Sequence, residues 1–168
     1  VVFNMLEDFF GFVEFEPNVP ALLELLQVPY TGCNPRGLAI ARDKALTKTI
    51  LAQDGIRVPG FAVFPRRRRF RPPPLAYPLL VKSLTEEASA GLAHGSLVRD
   101  AKRLKERVAF VHGTVSSDAI AEEYVLGREL SVAVIGNRRP RALPPRELDL
   151  SGLPPQAPRF ATARVKWD

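Results

Sequence analysis

Four short apolar runs set the strongest limit on what this chain can fold into: FAVF (61–64), YPLLVKSL (77–84), AIAEEYV (119–125) and ELSVAVIG (129–136). Each is rich in β-branched or aromatic residues and too short for a long buried helix, so each predicts a strand. Stretches with helical spacing lie between and before them. Glu16 to Leu26 carries Val19, Leu22, Leu23 and Leu26 at that spacing, with Pro20 tolerated in the first turn and Gln27 as the stop. Asn34–Pro35 joins a capping side chain to a proline at the first helical position, opening one short helix before ARDKALTKTILAQDG carries a second. Gly55 supplies the left-handed end of that second helix, and Pro59 prevents its resumption. RDAKRLKERVAFVHG starts at an Asp100 cap, lines Leu104, Val108 and Val111 along one face and closes at Gly113. VVFNM reads as a strand end, and VPYTG as a short strand running into glycine. Leu126–Gly127–Arg128 predicts a hairpin joining AIAEEYV to ELSVAVIG, and Gly136–Asn137 makes the next turn, with RALPPREL beyond it. Mixed helices and adjacent strands make the fold class α+β, or α/β with antiparallel portions.

A chain of 168 residues, 46% hydrophobic and 25% charged, has the makings of a globular core. No apolar run approaches the ~20 residues of a membrane-spanning helix, and VVFNMLEDFF lacks the basic start and cleavage site of a signal peptide. The lone Cys33 excludes an internal disulfide and fits a reducing cytoplasm. The chain begins without methionine on what reads as a buried strand and stops on ARVKWD, so both ends read as cut from something longer. The net charge of +6 owes much to Arg66–Arg69 and Arg71 in PRRRRFRPPP. Such a run can track a phosphate backbone, or it can be a solvated, proline-stiffened loop between two strands. With neither an aromatic repeat nor a second basic stripe, the loop reading is preferred and nucleic acid is disfavoured as a partner.

Three positions raise questions of chemistry. Lys82 interrupts an apolar strand just before the small-residue loop EEASAG. It either snorkels to the surface or aims a point charge at a polyphosphate, with Ser89 and Gly91 bringing a hydroxyl and amides to the same anion. The GxxxxGK[ST] phosphate loop is absent. Lys44, alone, is an ordinary helix-surface lysine. In EEYVLGREL, main-chain groups two residues apart point the same way along a strand. The Glu123 carbonyl and Val125 amide would then meet an adenine amino group and ring nitrogen, while Glu129 grips ribose hydroxyls. The competing reading is an exposed hairpin whose Glu122, Glu123 and Glu129 guard an edge.

VPALLELLQVPYTG, NPRGLAIARDKALTKTILAQDGIRVPGFAVF, YPLLVKS, EEYVLGRELSVAVIGN and LPPREL follow the order and spacing of the D-alanine–D-alanine ligase family of ATP-grasp enzymes. The chain resembles that family over nearly its whole length. The resemblance implies an ATP-grasp fold running from the end of a Rossmann-like N-terminal substrate domain (1–33), through the central ATP-grasp domain (34–125), into an incomplete C-terminal one (126–168). It implies Lys44 and Lys82 on ATP phosphates, Ser89 in the loop closing over them, and Glu122 with Glu123–Val125 at the adenine. Glu129 matches the ribose carboxylate, and Glu16 the acidic residue that holds amino-acid substrate near the PYTG turn. Lys166 matches the catalytic lysine on the transferred phosphate.

The implied reaction is phosphorylation of a carboxylate by ATP, then attack by an amine to form a dipeptide for bacterial cell-wall precursors. ATP and small amino acids are the implied partners, in the cytoplasm, and a homodimer is compatible with the pattern. The acidic and asparagine ligands for Mg²⁺ and the oxyanion arginine are expected beyond Asp168, so the chain as given would be catalytically incomplete. The pattern also departs from the family's. Lys82 is followed by Ser83 instead of proline, Glu87 and Ala88 replace a loop glycine and serine, and Trp167 stands where a tyrosine is common. These departures leave two alternatives open: an ATP-grasp ligase for a different amino acid, or a non-catalytic nucleotide-binding module.

Overall fold

A four-stranded antiparallel sheet organises the middle of the molecule. The computed structural model describes residues 1–86, 92–154 and 159–160. Strands β1 (Phe61–Phe64), β2 (Leu79–Ser83), β3 (Leu97–Val98) and β4 (Ala119–Glu123) lie in the order β1-β4-β2-β3. Directly opposed residues share a face of the sheet. Ala62, Ala121 and Val81 therefore look one way with Phe64, Ala119 and Ser83. Phe61, Glu122 and Leu80 look the other way with Val63, Ile120 and Lys82.

The first face is closed by α4 (Ala101–Phe110). The Asp100 side chain caps this helix, accepting from the Arg103 amide at 2.8 Å. Leu104 and Val108, one turn apart, pack against Phe64, Leu79, Val81, Ala119 and Ala121. Full burial of a leucine such as Leu104 contributes about 1.5–3 kcal/mol. Gly113 does not end the helical stretch as predicted. A wider turn at Val111–Val115 carries it through the glycine because Val111 and Val115 still pack on the core, and Ser116, at φ 57°, makes the left-handed stop.

Toward the other face come α2 (Pro35–Arg42) and α3 (Lys44–Gln53). Asn34 caps α2 through the Gly37 amide, and Asp43 caps α3 through the Ala45 and Leu46 amides. Two caps so close together explain why one helical stretch is split in two. Gly55, at φ 76°, terminates the chain's turn after α3 as its sequence position required. Helix α1 (Asn18–Leu25) starts later than Glu16, since Glu16 donates its amide to Val13 in a preceding 3-10 turn and Pro17 takes the cap position. Gln27 ends the stretch with φ 55°. VVFNM and VPYTG meet in a single parallel bridge between Val2 and Tyr30, and the Asn4 amide donates to the Thr31 hydroxyl at 3.0 Å.

The predicted hairpin does not form. β5 (Glu129–Ser131) pairs with β8 (Arg146–Leu148), and β6 (Val134–Ile135) with β7 (Arg141–Ala142), in two further sheets. Both edges of β4 are already taken by β1 and β2, so β5 has nowhere to pair beside it. Leu126–Arg128 is a link between sheets. Among the described residues no helix is long and apolar enough to cross a membrane.

Candidate functional site

Strand alternation puts Glu122 on the charged face of β4 and Lys82 on the same face of β2. Their side chains meet: Lys82 Nζ donates to Glu122 Oε1 at 2.5 Å. Lys48, from α3, brings its Nζ to 2.9 Å from Oε2 and lies 6.0 Å from the Phe61 ring. One carboxylate, 7% exposed, thus sits between two ammonium groups. Burial pushes the Glu122 pKa up, but the charges and hydrogen bonds of Lys82 and Lys48 outweigh it, so the net shift is downward. Oε2 is held by the Lys48 ammonium at 2.9 Å, and its second lone pair retains acceptor capacity. The Lys82 ammonium has three donors, and the contact with Glu122 uses one of them.

Glu123 points to the α4 side and serves structure. Its carboxylate accepts from the amides of Gly60 at 3.3 Å and Ala76 at 3.2 Å, tying two loop ends to β4. Its own amide donates to the Gly60 carbonyl at 2.9 Å. The return bond of the ladder is diverted, because the Gly60 amide goes to the carboxylate instead of the Glu123 carbonyl. Tyr124 closes the strand by donating to Pro78, and Val125 beyond it is 67% exposed.

Lys44 is no ordinary surface lysine. Its Nζ donates to the carbonyls of Leu84 at 3.2 Å and Glu86 at 2.7 Å, gripping the chain where it leaves β2. Ser83, in place of the family's proline, reinforces the same turn. Its hydroxyl bonds Ser117 at 2.8 Å and accepts from the amides of Thr85 and Glu86. The departure at that position therefore substitutes a hydrogen-bonded turn for a rigid one.

Other predicted positions lie elsewhere. Glu129 is on β5, opposite Leu148, and not on a hairpin with β4. Glu16 pairs with buried Arg42 of α2 at 3.6 Å, and Arg42 also donates to the Val13 carbonyl. Tyr30 of the PYTG turn bonds Glu24, not Glu16. Ser89 and Lys166 fall outside the described residues, as do Glu87, Ala88, Gly91 and Trp167. Lys48 is the residue sequence reasoning missed. Its signal was the four-residue spacing from Lys44 in DKALTK, which aligns both lysines on one helix face. Among the described residues, no group of three His, Cys, Asp or Glu side chains is placed to hold a metal ion, and Glu122 is already neutralised by lysines. These residues do not fit Mg²⁺.

This arrangement of helices packed on antiparallel strands matches part of solved ATP-grasp ligases. The D-alanine–D-alanine ligase of Coxiella burnetii is 26% identical and superposes with a TM-score of 0.66, over 79% of this chain and 40% of that one. The profile of the family described as "D-ala D-ala ligase C-terminus" matches residues 50–153, and the chain belongs to that family. An uncharacterized protein of Sinorhizobium fredii is 37% identical over 150 residues, 89% of this chain and 43% of its own. The D-alanine–D-alanine ligase of Bordetella pertussis is 35% identical over 133 residues, 77% of this chain and 41% of its own. The chain thus spans less than half the length of these relatives.

Proposed function

We propose that this chain is the nucleotide-holding part of an ATP-dependent carboxylate–amine ligase of the D-alanine–D-alanine type. The observation that carries the reading is the end of β4, where the buried Glu122 carboxylate lies between Lys82 and Lys48 and the exposed Val125 follows. The Glu123 carbonyl as acceptor and the Val125 amide as donor at this strand end suit the amino group and ring nitrogen of adenine. Lys82 bridges from Glu122 toward the phosphates with its remaining donors, and Lys44 holds the phosphate-covering loop at its root. Glu129 receives the ribose hydroxyls once β5 and β4 flank the nucleotide, and Glu16 acts at the amino-acid substrate through its pairing with Arg42.

In the whole protein the γ-phosphoryl group passes to the carboxylate of one amino acid, with ADP as leaving group. The amine of the second amino acid then attacks the acyl phosphate, phosphate departs and a peptide bond remains. The domain limits 1–33, 34–125 and 126–168, the cytoplasmic location, the cell-wall precursor role and Mg²⁺ ligands outside this chain belong to the same reading. Cations that balance charge on the transferred group are what such a site must supply. Calorimetric titration with a non-hydrolysable ATP analogue tests it. Glu129→Ala should weaken binding by roughly 1.5–3 kcal/mol, as for a lost charge-assisted hydrogen bond. Val125→Pro removes the main-chain donor, while also fixing the local backbone, and should weaken binding too. Unchanged affinity in both variants returns the strand end to a purely structural role.

A further inference from the structure

The arginine loop is more ordered than a solvated linker, and it does not act alone. The Arg68 amide donates to the Pro65 carbonyl at 3.0 Å, closing a tight turn. The Arg66 amide donates to Asp118 at 2.9 Å, and its guanidinium to the Ser116 carbonyl at 2.8 Å, so the root of the loop is fixed. Phe70 stacks on Phe64, with ring centroids 5.5 Å apart and planes 14° from parallel. These anchors fold Arg68, Arg69 and Arg71 over a cleft of about 620 Å³. Lys105 reaches the same cleft from α4. Its floor is apolar, formed by Phe64, Phe70 and Val108 among others.

Four cations from two distant parts of the chain thus converge on one cleft, and no carboxylate lines it. Among the described residues none of the four has an ion-pair partner. Asp118, the acidic residue at the root of the loop, is engaged by the Arg66 amide and lines a neighbouring cleft. Clustered like charges over an apolar floor repel one another and are relieved by an anion of matching density. The cleft lies on the α4 side of the sheet, the side of Ala62 and Phe64, whereas Lys82 and Glu122 face α3. Its volume falls within the range of small-molecule pockets, and the cations are gathered around it instead of forming a stripe.

We infer that this cleft is a second anion site, separate from the nucleotide face, for a small soluble ligand carrying several phosphate groups in a row. The phosphates lie between Lys105 and the arginine turn, and guanidinium forks take their oxygens in pairs. The second basic element that the sequence did not display is Lys105, brought to the loop by the packing of α4 on β1's face of the sheet.

Sodium tripolyphosphate is the probe, followed by amide-resolved magnetic resonance on the 168-residue chain at physiological salt. Shifts should cluster at residues 68–71, 105, 109 and 112, apart from any shifts at Lys44 and Lys82. The double variant Arg69→Ser with Lys105→Glu changes two exposed side chains. It should weaken tripolyphosphate binding at the cleft by roughly tenfold or more and flatten its salt dependence. Its affinity for the ATP analogue should be that of the wild type. Absence of shifts at the cleft, or equal cleft affinity in the variant, overturns the proposal. So does sulfate producing the same shifts at equal ionic strength, which would mean general ion screening. A single-stranded RNA of matched charge that binds more tightly, with shifts spreading beyond the cleft, would replace the small ligand with a nucleic-acid surface.

Discussion

On the α4 side of the central sheet, Phe64, Leu79, Val81, Ala119 and Ala121 are sealed under Leu104 and Val108. On the α3 side of the same strands, one residue further along, Glu122 and Lys82 are joined by Lys48. The backbone is shared, and only the parity of the residue number separates a core from a charged cluster. The apolar face gains free energy from every methylene removed from water. The charged face must first repay desolvation, and an ion pair buried there is often no better for stability than apolar residues of the same shape. A chain selected for stability alone would have closed both faces with aliphatic side chains. The charged face is the one on which the proposed nucleotide site rests, and the apolar face holds its strands in place.

Three substitutions would break or sharpen this contrast. The largest effect is expected from Leu104→Ala, which opens a cavity in the apolar face and should cost about 2–5 kcal/mol in urea unfolding. A cost below about 1 kcal/mol would mean that α4 is not the principal cover of the sheet.

A smaller effect is expected from Glu122→Gln, which keeps the shape and leaves Lys82 and Lys48 facing each other across a neutral amide. About 2 kcal/mol should be lost at neutral pH. The sign of the pH dependence follows from the depressed Glu122 pKa. The unfolded carboxyl, near its ordinary value of about 4.3, takes up its proton before the folded one does. Its contribution is thus complete above that value and disappears as pH falls through the lower folded value. The gap in Tm between wild type and Glu122→Gln should be widest near neutrality and close in acid. A gap independent of pH would show that the charge of Glu122 contributes nothing.

The smallest effect is expected from Lys48→Met, which retains apolar length near Phe61 and removes one of the two charges on Glu122. Stability should fall by no more than about 1 kcal/mol, while the Glu122 carboxyl, followed by carbon-detected titration, moves up toward its ordinary value. An unmoved Glu122 would assign its whole shift to Lys82.

Caps and breakers were readable because they act within a few residues. Asn34, Asp100, Gln27 and Gly55 each do locally what their side chains or backbone freedom allow. The strands of the central sheet were readable too, from short apolar runs. Helix ends were less so where packing competed with local preference, as at Gly113, which Val111 and Val115 override.

Strand partnership was not readable. EEYVLGREL has every local mark of a hairpin, yet β4 spends both edges on β1 and β2 and leaves β5 to pair with β8. Nor was the use of each carboxylate readable: Glu122 faces two lysines, Glu123 ties down Gly60 and Ala76, and Glu129 stands on another sheet. By itself the sequence determined which stretches are helical and which extended in the middle of the chain, which of their faces are apolar, and which family the whole pattern resembles. These are near-neighbour properties of caps, periodicity and turn chemistry. Only the tertiary structure decided that Lys48 completes the charge around Glu122, and that Lys105 joins the arginine loop over one cleft. Such meetings depend on how elements far apart in the chain share the edges and faces of a single sheet, and no local spacing records them.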